Sequence, residues 1–450
     1  TALAERALQL KLAGEAVASL GLTCSPRRLL NDVSAYKSGK GEQTEGVALY
    51  CELLRASGTA DFDDLLSLAL GKEGKTFGWL HVDEFQDVNP VQYELVRKWS
   101  RGGKLFVIGD PDQAIYSFRG AAAECFAGLK ADFPDAAGFR LAESYRSTPQ
   151  ILGCALHAIA ANGGERTLLP VKGGGASVRV AECASELSEG IFVAKEIARM
   201  VGGLDMLGRG REEKVRSFGE IAVLARTHRM LRVIEQCLRK EGIPCLVSGD
   251  REFLDAPEVS GTLAFFSVLC GGKESAQAEE FVGGRQNFLL AREKFLPLLR
   301  ARPRRILAEW REYMHICSPA FDKLTDAARY ADLPEFLRAM QLGTEGDVEL
   351  SVGNTAAGAV RLTTLHGAKG LEFPVVFLCG ANEKLLPLSS AGKTDEREER
   401  RLFYVGITRA QEELLITTSG APSPFLTEIS ADAVREKVSP PPVFRQLSLF

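Results

Sequence analysis

Short apolar runs and helical patterns alternate along most of this chain. Apolar residues recur at helical spacing in segments such as 231–242, and shorter apolar runs separate these segments. The strand-like runs cover residues 79–82, 104–110, 178–183, 219–226, 243–249, 374–380 and 413–419. Alternating strands and helices are typical of parallel sheets with helices on both faces. The pattern therefore predicts an α/β fold.

Two segments carry helical patterns only. Residues 1–60 are rich in Ala and Leu, with a loop at 37–46. Residues 271–353 contain the basic stretch RARPRR at 300–305, and a helical insertion between two halves of an α/β domain accounts for them. We expect the basic stretch to be a solvated face, and a contact with duplex phosphates is the alternative.

The composition is that of a soluble globular chain too long for one ordinary core. The 450 residues are 45% hydrophobic and 25% charged, so we expect two or three domains. No apolar run is long enough to span a membrane, and no signal peptide is visible. The ten cysteines form no C-x-x-C pair, which favours a reducing compartment and argues against zinc or an iron–sulfur cluster. Because the net charge is −4, any nucleic-acid surface must be local.

Three acids, Asp83, Glu84 and Asp87, follow the apolar run at 79–82, which we interpret as a buried strand. In parallel α/β sheets, ligands bind at the carboxyl ends of the strands. A carboxylate pair there can hold a hydrated Mg²⁺ and activate water for attack on a phosphate. The acids therefore predict a phosphate-handling site.

A second polar cluster, GDPDQAIYSFRGA at 109–121, follows the next strand-like run and belongs at the same sheet edge. The Gln113 amide can hydrogen-bond a phosphate oxygen or a water molecule. Phe118 and Arg119 combine an aromatic face with a guanidinium, which suits a base-stacking platform. The alternative is a turn with a core Phe.

Three further motifs complete an ordered set of five. They are LAESYRSTPQIL at 141–152, RLTTLHGAKGLEFPVVFLCG at 361–380 and EERRLFYVGITRAQEELLIT at 398–417. Together with the two clusters above, the run resembles the UvrD/Rep/PcrA family of superfamily-1 DNA helicases. The resemblance covers roughly residues 50–270 and 355–428, and five motifs in order make it specific.

The resemblance implies a motor with two RecA-like domains that uses ATP and Mg²⁺. By similarity, Asp83 holds Mg²⁺ through water, and Glu84 is the general base for the attacking water. Gln113 is expected to sense the γ-phosphate. In the second domain, Tyr145 is expected to stack on adenine, Glu372 to lie near the ribose, and Arg146 and Arg409 to contact the γ-phosphate as arginine fingers.

The same resemblance implies DNA as the partner. Phe118 is expected to stack on a base, although it stands where the family pattern has Trp, and Arg119 and His366 are expected to meet the strand. Single-stranded DNA and junctions of single and double strands are the implied substrates, with 3′-to-5′ polarity. A non-catalytic DNA-binding scaffold derived from a helicase is the alternative function. Membrane association is not expected, and the implied location is the bacterial cytoplasm, at the nucleoid.

The resemblance also implies a division into domains. We expect the remnant of a helical insertion, the first RecA-like domain, the first half of the second RecA-like domain, a short helical insertion, the second half of that domain and a Pro-rich tail. These cover residues 1–60, 61–138, 139–270, 271–353, 354–432 and 433–450, respectively.

A site of this kind needs a phosphate-cradling loop of the pattern G-x-x-x-x-G-K-[ST]. GKEGKT at 71–76 has its glycines too close together, and AGKT at 391–394 has Pro387 where the first Gly belongs. We expect that neither follows a strand and opens a helix. In the family, the loop lies upstream of the region that aligns with Thr1, so we expect the chain to be truncated. A natural non-hydrolysing paralogue is the alternative.

The last residues follow three prolines and are apolar. Gln446, Leu447, Leu449 and Phe450 resemble the bacterial peptide motif that binds the sliding clamp of replication. A Pro-rich linker is extended and would hold such a peptide away from the folded body. Clamp binding is therefore a hypothesis, and packing of the peptide on the chain's own second domain is the alternative.

Overall fold

The computed structural model describes most of the chain, in twelve stretches. They are residues 2–4, 6–72, 76–116, 124–164, 166–202, 215–248, 252–272, 275–328, 330–342, 358–389, 395–430 and 432–438. The chain divides into two compact units, Thr1–Leu141 and Ala142–Phe450, which we call unit 1 and unit 2. Among the described helices, none combines the length and the apolar character needed to cross a membrane.

Unit 1 contains helices and two small parallel sheets. Its strands are β1 (Ala2–Leu3), β2 (Thr59–Ala60), β3 (Trp79–Val82) and β4 (Lys104–Val107). Its helices are α1 (Arg6–Ser19), α2 (Pro26–Lys37), α3 (Glu45–Ala56), α4 (Phe62–Gly71), α5 (Pro90–Trp99) and α6 (Glu124–Asp132). Strand β1 pairs with β2, and β3 pairs with β4. The prediction that residues 1–60 are helical is confirmed by α1, α2 and α3, but the two-residue strands β1 and β2, which it did not include, also lie in this range.

Side-chain caps explain where the helices of unit 1 begin. Ser25 caps α2 and Thr44 caps α3, each by accepting a backbone N–H of the first turn. Asp61 caps α4 and forms a capping box with Asp64. The ammonium of Lys37 lies 2.6 Å from Asp61 and 2.7 Å from Asp64, which ties the end of α2 to the start of α4. These acids are structural.

The prediction that the strand at 79–82 is buried is wrong for the described residues. Alternate side chains of a strand point to opposite faces, and Trp79 and His81 share an exposed face. The Trp79 side chain is 63% exposed, and its ring stacks on His81 at 6.2 Å between centroids. The ammonium of Lys104 lies 4.5 Å from the same ring. In the described chain, β4 is the one strand that pairs with β3. The side chains on one face of this small sheet therefore stay exposed, although the strand is mostly apolar.

Unit 2 contains most of the strands and a long helical segment. Its strands are β5 (Glu143–Ser144), β6 (Leu169–Pro170), β7 (Arg179–Cys183), β8 (Ile221–Ala225), β9 (Cys245–Val247), β10 (Val360–Thr364), β11 (Phe373–Cys379), β12 (Ala410–Ser419) and β13 (Val434–Lys437). Its helices are α7 (Pro149–Ala160), α8 (Glu186–Met200), α9 (His228–Lys240), α10 (Pro257–Leu269), α11 (Ala276–Phe281), α12 (Arg285–Phe295), α13 (Pro303–Met314), α14 (Pro319–Ala327), α15 (Leu333–Leu342) and α16 (Glu396–Ile407).

Seven strands of unit 2 form one sheet in the order β13-β7-β12-β11-β8-β10-β9. Every neighbouring pair is parallel, so all amino ends lie along one edge and all carboxyl ends along the other. Phe377 of β11 joins the core beneath α8 and α9, and Leu378 lies on the opposite face against Gly406 of α16. Helices therefore cover both faces, and the predicted α/β fold is confirmed.

The helical segment between β9 and β10 has a core of its own. Trp310 is fully buried there, its ring stacks on Phe265 at 4.4 Å, and its indole N–H donates to Thr262 at 2.8 Å. Thr262 and Phe265 belong to α10, so this cluster extends upstream of residue 271. Within 275–342, apart from residue 329, every regular element that the structure describes is helical, which agrees with the sequence pattern.

The two partial phosphate-loop matches lie in different settings. Gly71 ends α4 ahead of β3, so the first match follows a helix and precedes a strand, as expected. The second match precedes α16, which begins directly after Asp395. The preceding strand, β11, ends at Cys379, so the match does not come directly after that strand, and the combination of a preceding strand and a following helix that a phosphate loop needs is not met. The Asp395 carboxylate accepts two N–H groups there, and the first turn carries Glu396, Glu398 and Glu399. These acids already occupy the positive end of the helix and disfavour phosphate. Residues 391–394 themselves lie outside the described residues.

Candidate active site

Asp83 and Glu84 follow the carboxyl end of β3, and both side chains are exposed. The Glu84 backbone is left-handed, with φ 49° and ψ 41°, which costs a non-glycine residue about 1–2 kcal/mol. The Glu84 N–H donates to the Asp83 carboxylate at 2.8 Å. Strained residues of this kind concentrate at functional sites. The backbone at Glu84 is therefore consistent with its proposed role.

Gln86 joins this segment to the loop that follows β4. It is fully buried, and its amide nitrogen donates to the Glu84 carboxylate. Its amide oxygen accepts the Asp110 N–H at 2.9 Å. A Cβ at Gly109 would lie 2.5 Å from that oxygen and 2.8 Å from the Phe126 ring. A side chain at position 109 would therefore force the Gln86 amide and the Phe126 ring to shift.

Gln113 is anchored to the same loop by Asp110. Its amide nitrogen donates to Asp110 Oδ2 at 2.9 Å, and Asp110 Oδ1 accepts the Asp112 N–H at 3.0 Å. Gln113 is partly exposed, at the end of a short 3-10 turn, Pro111–Gln113. The structure thus joins Glu84 and Gln113 through two intermediate residues, the side chain of Gln86 and the backbone N–H and carboxylate of Asp110.

In unit 2, Arg146 and Glu372 form an ion pair with an N–O distance of 2.6 Å. Both side chains are partly exposed. The segment that carries Arg146 is fixed by its neighbours: the buried Ser147 hydroxyl donates to the Ala410 carbonyl at 2.6 Å, and the Thr148 N–H donates to the Gln411 carbonyl at 3.2 Å. The Ser-Thr-Pro sequence at 147–149 stands at the start of a helix, since α7 begins at Pro149.

Tyr145 presents its ring to solvent. Its side chain is 67% exposed, as a stacking surface requires. Its hydroxyl donates a hydrogen bond to the Glu143 carboxylate, and this bond raises the pKa of Tyr145. The ring is thus tethered at its hydroxyl while its faces remain accessible.

Arg409 lies beside Glu372, at the amino end of β12, and is 1% exposed. Its guanidinium donates to the carbonyls of Val405, at 3.0 Å, and Leu371, at 3.1 Å. Its own carbonyl accepts the Phe373 N–H at 2.9 Å. These bonds bracket Glu372 and hold the amino ends of β11 and β12 together.

His366 lies at the other edge of the sheet. It follows the carboxyl end of β10, whereas Glu372 and Arg409 precede β11 and β12. A Cβ at Gly367 would lie 2.7 Å from the Thr363 hydroxyl, so this turn also requires glycine. Unit 2 therefore separates the predicted nucleotide residues from the predicted DNA residue by the length of the strands.

Two groups of predicted residues lie outside the described residues. They are Phe118 and Arg119 in the second motif, and Gln446, Leu447, Leu449 and Phe450 at the carboxyl terminus. Their roles stay predictions.

Three residues that organise the site had no predicted role. Gln86 and Gly109 join the two loops of unit 1, and Ser147 fixes the Arg146 segment. Gln86 stands inside the acidic motif DEFQD. The position of Gln86, an amide among acidic residues, could have indicated that it takes part in the site. Nothing near Ser147 in the sequence indicates its contact with Ala410.

Two family models match the chain. The model of the UvrD/REP helicase N-terminal domain matches residues 23–134, and that of the UvrD-like helicase C-terminal domain matches residues 139–286 and 309–420. The chain belongs to the UvrD/REP helicase family. The helicase domains of this family are RecA-like, which agrees with the parallel sheet of unit 2. The predicted family and fold class are confirmed.

Three curated relatives of this chain carry the name ATP-dependent DNA helicase. It is 29% identical over 481 residues to "ATP-dependent DNA helicase PcrA" of Leuconostoc citreum, covering 86% of this chain and 63% of the relative. It is 27% identical over 490 residues to the PcrA protein of Staphylococcus epidermidis, covering 87% and 65%. It is 28% identical over 553 residues to "ATP-dependent DNA helicase UvrD1" of Mycobacterium bovis, covering 93% and 70%. The chain thus spans less than two thirds of the two PcrA relatives.

Proposed function

We propose that the protein is an ATP-dependent DNA translocase or helicase that moves 3′ to 5′ on single-stranded DNA, including at junctions with duplex. The observation that carries this proposal is the gathering of Arg146, Glu372 and Arg409 at the amino ends of two adjacent strands. Together with family membership, this arrangement supports a nucleotide-responsive site. We place the protein in the bacterial cytoplasm at the nucleoid, where its DNA substrate is.

In unit 1, Asp83 and Glu84 divide two tasks. Asp83 is an exposed carboxylate, and such a ligand fits Mg²⁺ that keeps most of its waters. When bound, Mg²⁺ would neutralise charge on the triphosphate. Glu84 accepts a proton from the attacking water, and Gln113 hydrogen-bonds the γ-phosphate from the loop held by Asp110.

In unit 2, Tyr145 stacks on adenine with its exposed ring, and Glu372 accepts from the ribose. Arg146 and Arg409 donate to the γ-phosphate and stabilise charge as it develops. Each arginine is already bonded within the unit. Arg146 must leave Glu372, and Arg409 must exchange a bond such as that to Leu371 for a phosphate oxygen. ATP binding is therefore coupled to rearrangement of these bonds.

Single-stranded DNA is the proposed partner of Phe118, Arg119 and His366. Phe118 stacks on a base, Arg119 pairs with the backbone, and His366 contacts the strand from the carboxyl edge of the sheet. We also propose that Gln446, Leu447, Leu449 and Phe450 bind a bacterial sliding clamp, which would recruit the motor to replicating DNA.

ATP hydrolysis by the complete protein, measured with and without single-stranded DNA, tests this function. We expect DNA to stimulate hydrolysis, and Glu84→Gln to abolish turnover while sparing ATP binding. Glu94→Gln is the control, because Glu94 is an exposed carboxylate on α5, 2.8 Å from Arg97. If the unaltered protein binds DNA without hydrolysing ATP, the non-catalytic scaffold is the better description.

A further inference from the structure

A continuous chain of hydrogen bonds runs from Glu84 to Gln113 in unit 1. The Gln86 amide nitrogen donates to Glu84, and its amide oxygen accepts the Asp110 N–H at 2.9 Å. Asp110 Oδ2 then accepts the Gln113 amide at 2.9 Å. The two ends of this chain are the proposed general base and the proposed γ-phosphate sensor.

We propose that Gln86 is a positioning residue that couples the orientation of the Glu84 carboxylate to the position of the 109–113 loop, an inference that rests on the proposed function. Gln86 touches neither nucleotide nor DNA in this account. It acts through Glu84 on one side and Asp110 on the other.

The chemistry of an amide suits this task. A glutamine side chain has a donor at one corner and an acceptor at the other, so it can satisfy a carboxylate and a backbone N–H at once. Gln86 is fully buried, so either bond, once lost, leaves a polar group without water to replace its partner. Movement of the Asp110 backbone therefore pulls on the amide, and the amide pulls on Glu84.

Packing keeps the amide from adopting another arrangement. A Cβ at Gly109 would lie 2.5 Å from the Gln86 amide oxygen and 3.1 Å from the Phe85 nitrogen. The backbone adds two bonds between the loops: Ile108 donates to Val82, and Phe85 donates to Ile108, both at 2.9 Å. Phe85 itself is fully buried against Phe126, with ring centroids 5.0 Å apart. These contacts hold the two loops side by side, so the amide bridges a short, well-packed gap.

Through this coupling, ligand binding at Gln113 would change the orientation of the Glu84 carboxylate. When Gln113 leaves Asp110 to bind a γ-phosphate, the Asp110 carboxylate loses one donor, and the loop that holds Gln86 shifts. Phe118, the proposed base-stacking residue, follows Gln113 by five positions in the sequence, so by the proposed function we expect a bound strand to act on the 109–113 segment as well. Phosphate and DNA would then both act on Glu84 through the buried Gln86 amide.

Two pairs of variants of the complete protein test the relay. Gln86→Leu keeps a buried side chain of similar size and removes both bonds. Its control is Gln92→Leu, because the Gln92 side-chain oxygen accepts the Asn89 N–H in the capping box of α5, away from Glu84 and Asp110. Gly109→Ala leaves the amide in place but adds a Cβ that presses on the amide oxygen and on the Phe126 ring. Its control is Gly128→Ala, because a Cβ at Gly128 would make an ordinary 3.5 Å contact with Tyr93.

We expect Gln86→Leu and Gly109→Ala to lower the DNA-stimulated kcat for ATP by about 10- to 100-fold, with KM for ATP changed less than about twofold. The ratio of DNA-stimulated to basal hydrolysis should fall as well. Both control variants should retain the ratio of the unaltered protein. Melting temperatures of all four variants separate this loss from unfolding, since a merely structural role would lower stability and spare kcat of the folded fraction.

The outcomes are distinguishable. If the unaltered protein hydrolyses ATP with DNA and both test variants match their controls in kcat, the relay is overturned and the proposed function stands. If the unaltered protein hydrolyses no ATP, the proposed function and the relay both fall. If Gln86→Leu does not fold, Gly109→Ala against Gly128→Ala decides the question alone.

Discussion

The Arg146 guanidinium donates to the Glu372 carboxylate across 2.6 Å, although 226 positions separate the two residues. By resemblance, Arg146 belongs to the γ-phosphate and Glu372 to the ribose. In the structure the two side chains bind each other. In the proposed function, a nucleotide would therefore compete with Glu372 for the guanidinium, and this ion pair would enter the free energy of ATP binding.

Glu372→Gln should free Arg146 for phosphate. Exposed ion pairs are worth about 0.2–1 kcal/mol, so the gain should be about 1.5- to 5-fold. Inorganic tripolyphosphate is the suitable probe, because it has no ribose and avoids the second role of Glu372. We expect its inhibition constant against ATP hydrolysis by the complete protein to fall in Glu372→Gln and to stay unchanged in Glu94→Gln. An inhibition constant that rises would show that Glu372 does not restrain Arg146.

Substitution of Arg409 should lower the unfolding free energy of the protein more than substitution of Arg146, although both arginines are expected to be needed for ATP turnover. Arg409 is fully buried and its guanidinium bonds two backbone carbonyls, so Arg409→Met leaves them unsatisfied and should cost about 2–4 kcal/mol of unfolding free energy. Arg146 is partly exposed, so Arg146→Met should cost less than about 1 kcal/mol. Chemical denaturation measures both values. Equal losses of stability would contradict the placement of Arg409.

Glu189 should make stability depend on pH. This buried carboxylate accepts hydrogen bonds from the Gly380 N–H and the Ser419 hydroxyl, both at 2.7 Å, and from Thr417. Burial nevertheless raises the pKa of Glu189 above its usual value of 4.5. The folded state then holds the proton more tightly than the unfolded state. The stabilisation linked to protonation of Glu189 is therefore fully present below pH 4.5 and is lost as pH rises through the pKa of the folded state.

The test for Glu189 is unfolding free energy against pH for the native protein and Glu189→Gln. The glutamine is uncharged, so the variant should lose less stability between about pH 4.5 and pH 7 than the native protein. If the two curves run parallel over this interval, the Glu189 carboxylate does not carry the proposed linkage.

Local patterns predicted the elements of the fold, because periodicity and caps act within a few residues. The run at 413–419 lies in β12, and the Ser-Thr-Pro sequence marks the start of α7. Burial was harder to predict. The run at 79–82 is apolar, but Trp79 is exposed, since burial depends on what packs against a strand and not on its composition.

Contacts between residues far apart in the sequence are the part of the candidate site that could not be predicted from the sequence. The motifs indicated Arg146, Glu372 and Arg409 one by one, but no pattern in the sequence shows that Arg146 pairs with Glu372 or that Arg409 donates to Leu371. The same holds for Gln86, whose amide reaches Asp110 from 24 positions away. Such contacts arise only when parallel strands bring their ends side by side.

The terminal peptide yields a prediction independent of the motor. The complete protein should bind a bacterial sliding clamp, and a chain ending at Arg445 should not, because it lacks Gln446, Leu447, Leu449 and Phe450. Calorimetric titration with clamp protein measures this. A four-residue change of Gln446, Leu447, Leu449 and Phe450 to alanine, in the intact chain, controls for length. Equal binding by all three chains, or by none, would rule out the peptide as the contact.

ATP-driven movement along single-stranded DNA tests the central claim most directly. Stopped-flow fluorescence can follow arrival of the complete protein at a fluorophore placed on either end of oligonucleotides of increasing length. We predict a lag that lengthens with the oligonucleotide when the fluorophore is at the 5′ end, and no such signal for Glu84→Gln. A signal without a length-dependent lag, or an unchanged signal in Glu84→Gln, would contradict a motor that works through this site.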